Sequence, residues 1–152
     1  MQGSRKRFQR KFNNTYPVNS IRVCVDAVYD GNLSGRFYSK MNSDPVSFHS
    51  IAKLLLGADK LFDLRGYPQN FEEKRSFTKQ KVWTGKYSVP PVLLDDETVL
   101  KQRGLLFTFD ILVQSRHRAG WQGIVVSLDG EAVEFQSELE LLGCIDTETK
   151  KW

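Results

Sequence analysis

The same order of signals, an alternating strand, a hairpin, a Val-x-Phe-x-Ser string and a helix, occurs twice in this chain, and no other feature restricts its fold so strongly. The two strings are Val46-Ser47-Phe48-His49-Ser50 and Val133-Glu134-Phe135-Gln136-Ser137. Ahead of the first, Ile21, Val23, Val25, Ala27 and Tyr29 alternate with Arg22, Cys24, Asp26 and Val28. Ahead of the second, Leu105, Phe107, Phe109, Ile111 and Val113 alternate with Thr108, Asp110 and Gln114. A period of two is that of a half-buried strand. Each run leads into a polar turn and a glycine followed by aromatics, Asp30 to Gly35-Arg36-Phe37-Tyr38 and Gln114 to Gly120-Trp121, and so predicts a hairpin. A second turn follows in both copies. It is Asn42-Ser43-Asp44-Pro45 in one and Asp129-Gly130 in the other, where Asp-Gly predicts a type I′ turn with positive φ at both central residues.

The serine that ends each string predicts a helix cap. Behind Ser50, the residues Ile51, Leu54, Leu55, Ala58, Leu61 and Phe62 form one apolar stripe, with Gly66 as the stop and Pro68 barring continuation. Ser137 with Glu140 forms a capping box, and Leu139, Leu141, Leu142, Cys144 and Ile145 give the second helix a broader apolar face. Each unit therefore reads as β-β-β-α. Its helix must lie across a sheet to bury its stripe, which leaves open whether the two units share one sheet.

The chain of 152 residues is long enough for one domain with a sizeable core. Its net charge of +4 is unevenly placed. Residues 1–19 hold Arg5, Lys6, Arg7, Arg10 and Lys11 and no acid, with Phe8 and Phe12 interleaved. The rest is close to neutral, so the chain is not a uniformly basic nucleic-acid wrapper. Lacking apolar periodicity, residues 1–19 read as a flexible, solvated basic arm. Residues 67–104 connect the units and carry Lys74, Arg75, Lys79, Lys81 and Lys86. Short elements are expected there, with a strand near 82–87, while Asp95-Asp96-Glu97 reads as a plain acidic loop. No apolar run approaches a membrane span and no apolar stretch follows the first charges, so the expectation is a cytoplasmic protein without membrane contact.

The residues offer little to catalysis. His49 precedes the first cap and His117 lies between Arg116 and Arg118, neither beside a nucleophile. Cys24 and Cys144 are too few for a disulfide framework and read as packing residues. With no local ligand pair, no metal site is expected, and no phosphate-binding glycine motif or zinc-hydrolase motif is present. No cofactor and no catalytic residue are assigned. The surface candidate is the hairpin tip Ser115-Arg116-His117-Arg118-Ala119-Gly120-Trp121, where arginines and an aromatic could hold a phosphate, stack a base or anchor a protein. Against this, Trp121 could equally start a strand and pack in the core.

The strings Gly35-Arg36-Phe37-Tyr38-Ser39, Phe48-x-Ser50, Tyr67-Pro68-Gln69-Asn70-Phe71, Trp121-Gln122-Gly123, Phe135-Gln136-Ser137-x-Leu139-Glu140-Leu141-Leu142 and Ile145-Asp146 together resemble a family of small, uncharacterised proteins from anaerobic Gram-positive bacteria. The resemblance spans about residues 20 to 147. It implies no activity, cofactor or site residue, because the family has none assigned.

The sequence thus reads as an α+β protein. A flexible basic arm (1–19) precedes a first β-β-β-α unit (20–66), a connecting segment (67–104) and a second unit (105–149), the two units packed into one compact body. The expected function is non-enzymatic binding or regulation through a protein partner. The alternative is nucleic-acid binding by Arg5, Lys6, Arg7, Arg10 and Lys11 of the arm together with Arg116, His117, Arg118 and Trp121 of the tip. Basic segments clustered on one face would favour nucleic acid, and an exposed apolar patch would favour protein. Oligomeric state is left open.

Overall fold

A computed structural model describes residues 7–10, 12, 14–66, 92–117 and 120–149, with His117 described by its backbone alone. Arg5, Lys6, Lys11 and Arg118, the lysine-rich stretch of the connecting segment and the strand expected near 82–87 lie outside the described residues.

The fold is mixed α+β. Strands β1 (Arg7–Gln9), β2 (Ser20–Tyr29), β3 (Asn32–Tyr38), β4 (Val46–Phe48), β5 (Phe107–His117), β6 (Gly120–Ser127) and β7 (Glu131–Phe135) form one antiparallel seven-stranded sheet in the order β1-β7-β6-β5-β2-β3-β4. Helices α1 (Ile51–Arg65) and α3 (Glu138–Thr149) follow β4 and β7, and α2 (Asp96–Leu100) lies in the connection to β5. None is long and apolar enough to cross a membrane.

The registers of the two halves match. Val25 pairs with Gly35 and Gly35 with Phe48 in one; Val113 pairs with Gly123 and Gly123 with Phe135 in the other. Each half has a register shift just after the valine, at Val25/Ala27 and at Val113/Ser115. Both glycines serve one purpose. A Cβ on Gly35 would stand 2.0 Å from the Cys24 carbonyl oxygen, and one on Gly123 would stand 1.9 Å from that of Leu112, so a side chain at either place would force the strands apart. The halves meet where β2 pairs with β5, and there Arg22 faces Asp110. Each of these residues lies three positions before the valine of its own half.

Helices α1 and α3 lie over the strands of their own halves. Beneath them Ile21, Val23, Val25, Phe37, Phe48, Phe109, Ile111, Val125 and Phe135 make the main core with Leu54, Ala58, Phe62, Leu141 and Ile145. Ser50 caps α1 by accepting from the Lys53 N–H, and Gly66 ends it at φ 69° with its N–H on the Phe62 and Asp63 carbonyls. Ser137 accepts from the Glu140 N–H, while the Glu140 carboxylate reaches back to the N–H of Gln136, one residue before the cap. The intervening strand residues point to the other face, where Phe12, Leu112, Ile124, Val126 and Ala132 form a second, smaller apolar cluster.

Several sequence-based expectations change. Part of the expected arm is structured. Arg7–Gln9 pair with Val133, Ala132 and Glu131 at the sheet edge, Phe12 joins the second cluster, and Tyr16 is buried. A three-residue edge strand is held through its backbone, which no side-chain pattern announces. Asp95-Asp96-Glu97 opens α2, with the Asp95 carboxylate capping the Thr98 N–H. Leu105 precedes β5 and is exposed. Gly104 crosses so close to Val25 that pairing starts only at Phe107. Gly35 sits inside β3. The type I′ geometry falls instead at Asp30-Gly31, with φ of 50° and 80°. At Asp129-Gly130 only the glycine takes a positive φ. Of the second helix's broad apolar face, Leu139 and Leu142 remain exposed.

Candidate functional site

The hairpin tip folds back on α1. After the shift at Val113/Ser115, Arg116 pairs with Trp121 and both turn to the helix side. The Arg116 Nη1 lies 3.0 Å from Asp59 and 2.8 Å from Asp63, one helical turn apart, and its guanidinium stands 5.5 Å over the Phe62 ring. The Trp121 Nε1 donates to the same Asp59 Oδ1 at 3.1 Å, and its ring meets Phe62 edge-on. Arg116, expected at the surface on either reading of the tip, is therefore buried and bound to the chain's own helix, and Trp121 starts β6 and packs in the core, the reading weighed against surface contact. The one-residue bulge is the reason. It reverses the side-chain parity of β5, placing an even-numbered residue on the face that odd-numbered residues occupy earlier in the strand.

Next to that cluster a groove of about 540 Å³ runs between α1 and α3. Leu55, Leu56, Trp121 and Leu142 line it, and Asp59 and Glu138 stand at its border. Leu56 is 55% exposed, Leu142 37% and Leu139, beside it on α3, 78%. Helix α3 carries Glu138, Glu140, Asp146 and Glu148 and no lysine or arginine, so this apolar surface has an acidic flank.

The opposite face holds a buried polar network. Asp110 Oδ1 accepts from Arg22 Nε at 2.9 Å and from the Tyr16 hydroxyl at 2.7 Å, Asp110 Oδ2 accepts from Arg22 Nη2 at 2.8 Å, and Arg22 Nη1 donates to the Leu100 carbonyl. Ser20 Oγ lies 3.1 Å from the tyrosine oxygen. Arg22 and Asp110 are 4% and 1% exposed. Burial opposes the Arg22 charge, but the bonds and charge of Asp110 outweigh it and raise the pKa. Burial and then the Asp110 charge push the Tyr16 phenol well above its ordinary value. Burial raises the Cys24 thiol to about 11, which makes it a poor nucleophile. At the rim, Asp96 accepts from Lys40 Nζ at 2.5 Å and from the Tyr16 N–H at 2.9 Å, and these bonds hold its carboxyl below the usual range, the lysine first. A cavity of about 330 Å³ opens onto this network, lined by Arg10, Phe12, Arg22, Leu100, Arg103 and Asp110 among others.

The arm and tip residues that are described do not converge. Arg7 is on the β1 edge in an exposed pair with Glu131, Arg10 is on the face opposite the helices, and Arg116 and Trp121 are under α1. His49 is exposed, with Nδ1 3.3 Å from Ser34 Oγ. Cys24 and Cys144 are buried, on opposite faces of the sheet. Among the described residues no group of His, Cys, Asp and Glu side chains could hold a metal ion. Nothing local in the sequence pointed to the Arg22–Asp110 network, because its partners lie on strands distant in the chain. Comparison with protein-family models, curated proteins and solved structures finds no match, so this geometry is what a functional reading has to stand on.

Proposed function

We infer that the protein acts as a non-enzymatic binding or regulatory protein, and that its partner is another protein presenting a basic, apolar segment to the groove between α1 and α3. The observation that carries this reading is the open line of leucines, Leu56, Leu139 and Leu142, flanked by the uniformly acidic α3. Apolar contact supplies the affinity of such a helix-in-groove interface, and the carboxylate of Glu138 on its wall selects lysine or arginine over acidic competitors. The nucleic-acid alternative draws less support, since Arg116 already serves two carboxylates and Trp121 is in the core.

The probe is a synthetic amphipathic helix of leucine and lysine, titrated against the full chain. Binding is expected, with loss in the Leu56→Glu, Leu142→Glu double variant, retention in Leu64→Glu on the same helix outside the groove, and no binding of the peptide with glutamate in place of lysine. Equal affinity for the double variant and the parent would overturn the reading. A native partner captured from lysate should survive nuclease and be lost with the same double variant.

The matching registers further support the reading of the two β-β-β-α units as copies of one unit, joined edge to edge through β2 and β5.

A further inference from the structure

The cavity on the face away from the helices has a charge balance that its own residues leave incomplete. Arg22 is neutralised by Asp110 in a two-pronged pair. Arg10 and Arg103 are not: among the described residues no carboxylate pairs with either. Both are exposed. The Arg10 guanidinium stands 5.9 Å over the Phe12 ring, and Arg103 Nη1 donates only to the Leu100 and Gln102 carbonyls, which leave its charge in place. Asp129, also on the wall, keeps its charge while accepting from the Ser127 hydroxyl and the Glu131 N–H, so Arg10, Arg22 and Arg103 outnumber the carboxylates of Asp110 and Asp129 by one. Leu100, Val126 and Leu128 add apolar surface.

We propose that this cavity binds a small organic anion. Its phosphate or carboxylate is held by Arg10 and Arg103, and a flat apolar group lies against Phe12 and Leu100. The Arg22–Asp110 pair forms the floor, and Asp110 fixes the Arg22 fork by accepting two of its N–H groups. Two guanidinium groups beside an apolar wall are suited to planar, two-pronged recognition of an oxyanion. The volume of about 330 Å³ fits a small-molecule site. This inference uses neither the groove nor its partner, so each can fail alone.

The test is calorimetric titration of the full chain with phenyl phosphate, benzoate and inorganic phosphate. The expected result is saturable binding of at least one of the two aromatic anions, tighter than inorganic phosphate, and weakened by rising salt. Arg10→Gln and Arg103→Gln should each raise Kd by about tenfold or more, the size of one hydrogen bond to a charged group. Phe12→Leu should narrow the preference for the aromatic anion, and Arg7→Gln, on the neighbouring edge strand but paired with Glu131, should leave Kd unchanged. Whichever of phenyl phosphate and benzoate binds more tightly assigns the oxyanion class. The proposal is overturned if neither binds up to millimolar concentration, or if the Arg10→Gln, Arg103→Gln double variant binds as the parent does.

Discussion

On the helix side of the sheet, Ile21, Val23 and Val25 meet Phe109, Ile111 and Phe135 under two capped helices. On the other side, the residues between them, Ser20, Arg22 and Cys24, meet Thr108 and Asp110 under irregular chain and the short α2. The same strands thus carry two different solutions to burial. The helix side is held by non-directional apolar contact, which tolerates any packing of about the right volume. Where β2 meets β5 the opposite side is held by directed bonds that must all be made, since a buried charge with a missing partner is far more costly than an apolar group with a poor one. The contrast teaches that one face can vary in detail while the other is specified atom by atom.

The largest expected effects are alike in size and differ in their remedy. Phe135→Ala should cost about 3 to 5 kcal/mol through the cavity it leaves, and Asp110→Ala about 3 to 5 kcal/mol through the orphaned Arg22 charge; urea unfolding measures both. Adding Arg22→Met to an Asp110→Leu variant should recover most of the second loss, because a well-packed apolar pair can replace a buried ion pair. No polar replacement should rescue Phe135. If Arg22→Met, Asp110→Leu is as unstable as Asp110→Ala, the distinction between the faces fails.

A mid-sized effect follows from alkali. Tyr16 and Cys24 both have folded pKa values above their unfolded ones, so their stabilising contribution is complete below the unfolded values and is lost as pH rises through the folded ones. For Cys24 the window runs from 9.0 to about 11, and for Tyr16 it opens near 10. Stability should therefore fall through that range by up to about 2 to 3 kcal/mol for the thiol alone. The decline should be shallower in Cys24→Ala, and one identical in Cys24→Ala and the parent would break the assignment. The smallest effects belong to the caps. Ser50→Ala and Ser137→Ala should each cost about 1 kcal/mol and leave the alkaline decline unchanged, since both lie on the helix side.

What the sequence made legible was local. The alternation from Ile21 to Val25, the stripe of α1, its Ser50 cap and its Gly66 stop all depend on neighbours within one or two turns or a single strand, whereas beyond the register shift at Val25/Ala27 the expected inward Tyr29 is exposed. The α2 segment was within reach, since Asp95 followed by two acids and an apolar pair is a helix-start signal, but five residues give no periodicity to support it. The burial of Arg116 is not legible at the hairpin tip because one bulge residue at Val113/Ser115 inverts everything beyond it. The Arg22–Asp110 pair was invisible for a different reason. Its two residues look like ordinary outward positions on their own strands, and only the register between β2 and β5 brings them together and covers them. The second cavity inherits that invisibility, because its wall combines Arg10, Arg22 and Arg103 from three separate stretches.

The place of Arg22 opposite Asp110 also bears on how two molecules could pair edge to edge. Because the two residues occupy matching positions in halves of matching register, pairing β2 of one molecule with β2 of another about that position would set arginine against arginine, and β5 with β5 would set aspartate against aspartate. Like charges brought together in a buried seam cost several kcal/mol. The union of unlike halves is the only one in which this position is neutral, so the ion pair disfavours any dimer that joins two identical halves edge to edge, whether the unlike halves come from one chain or from two.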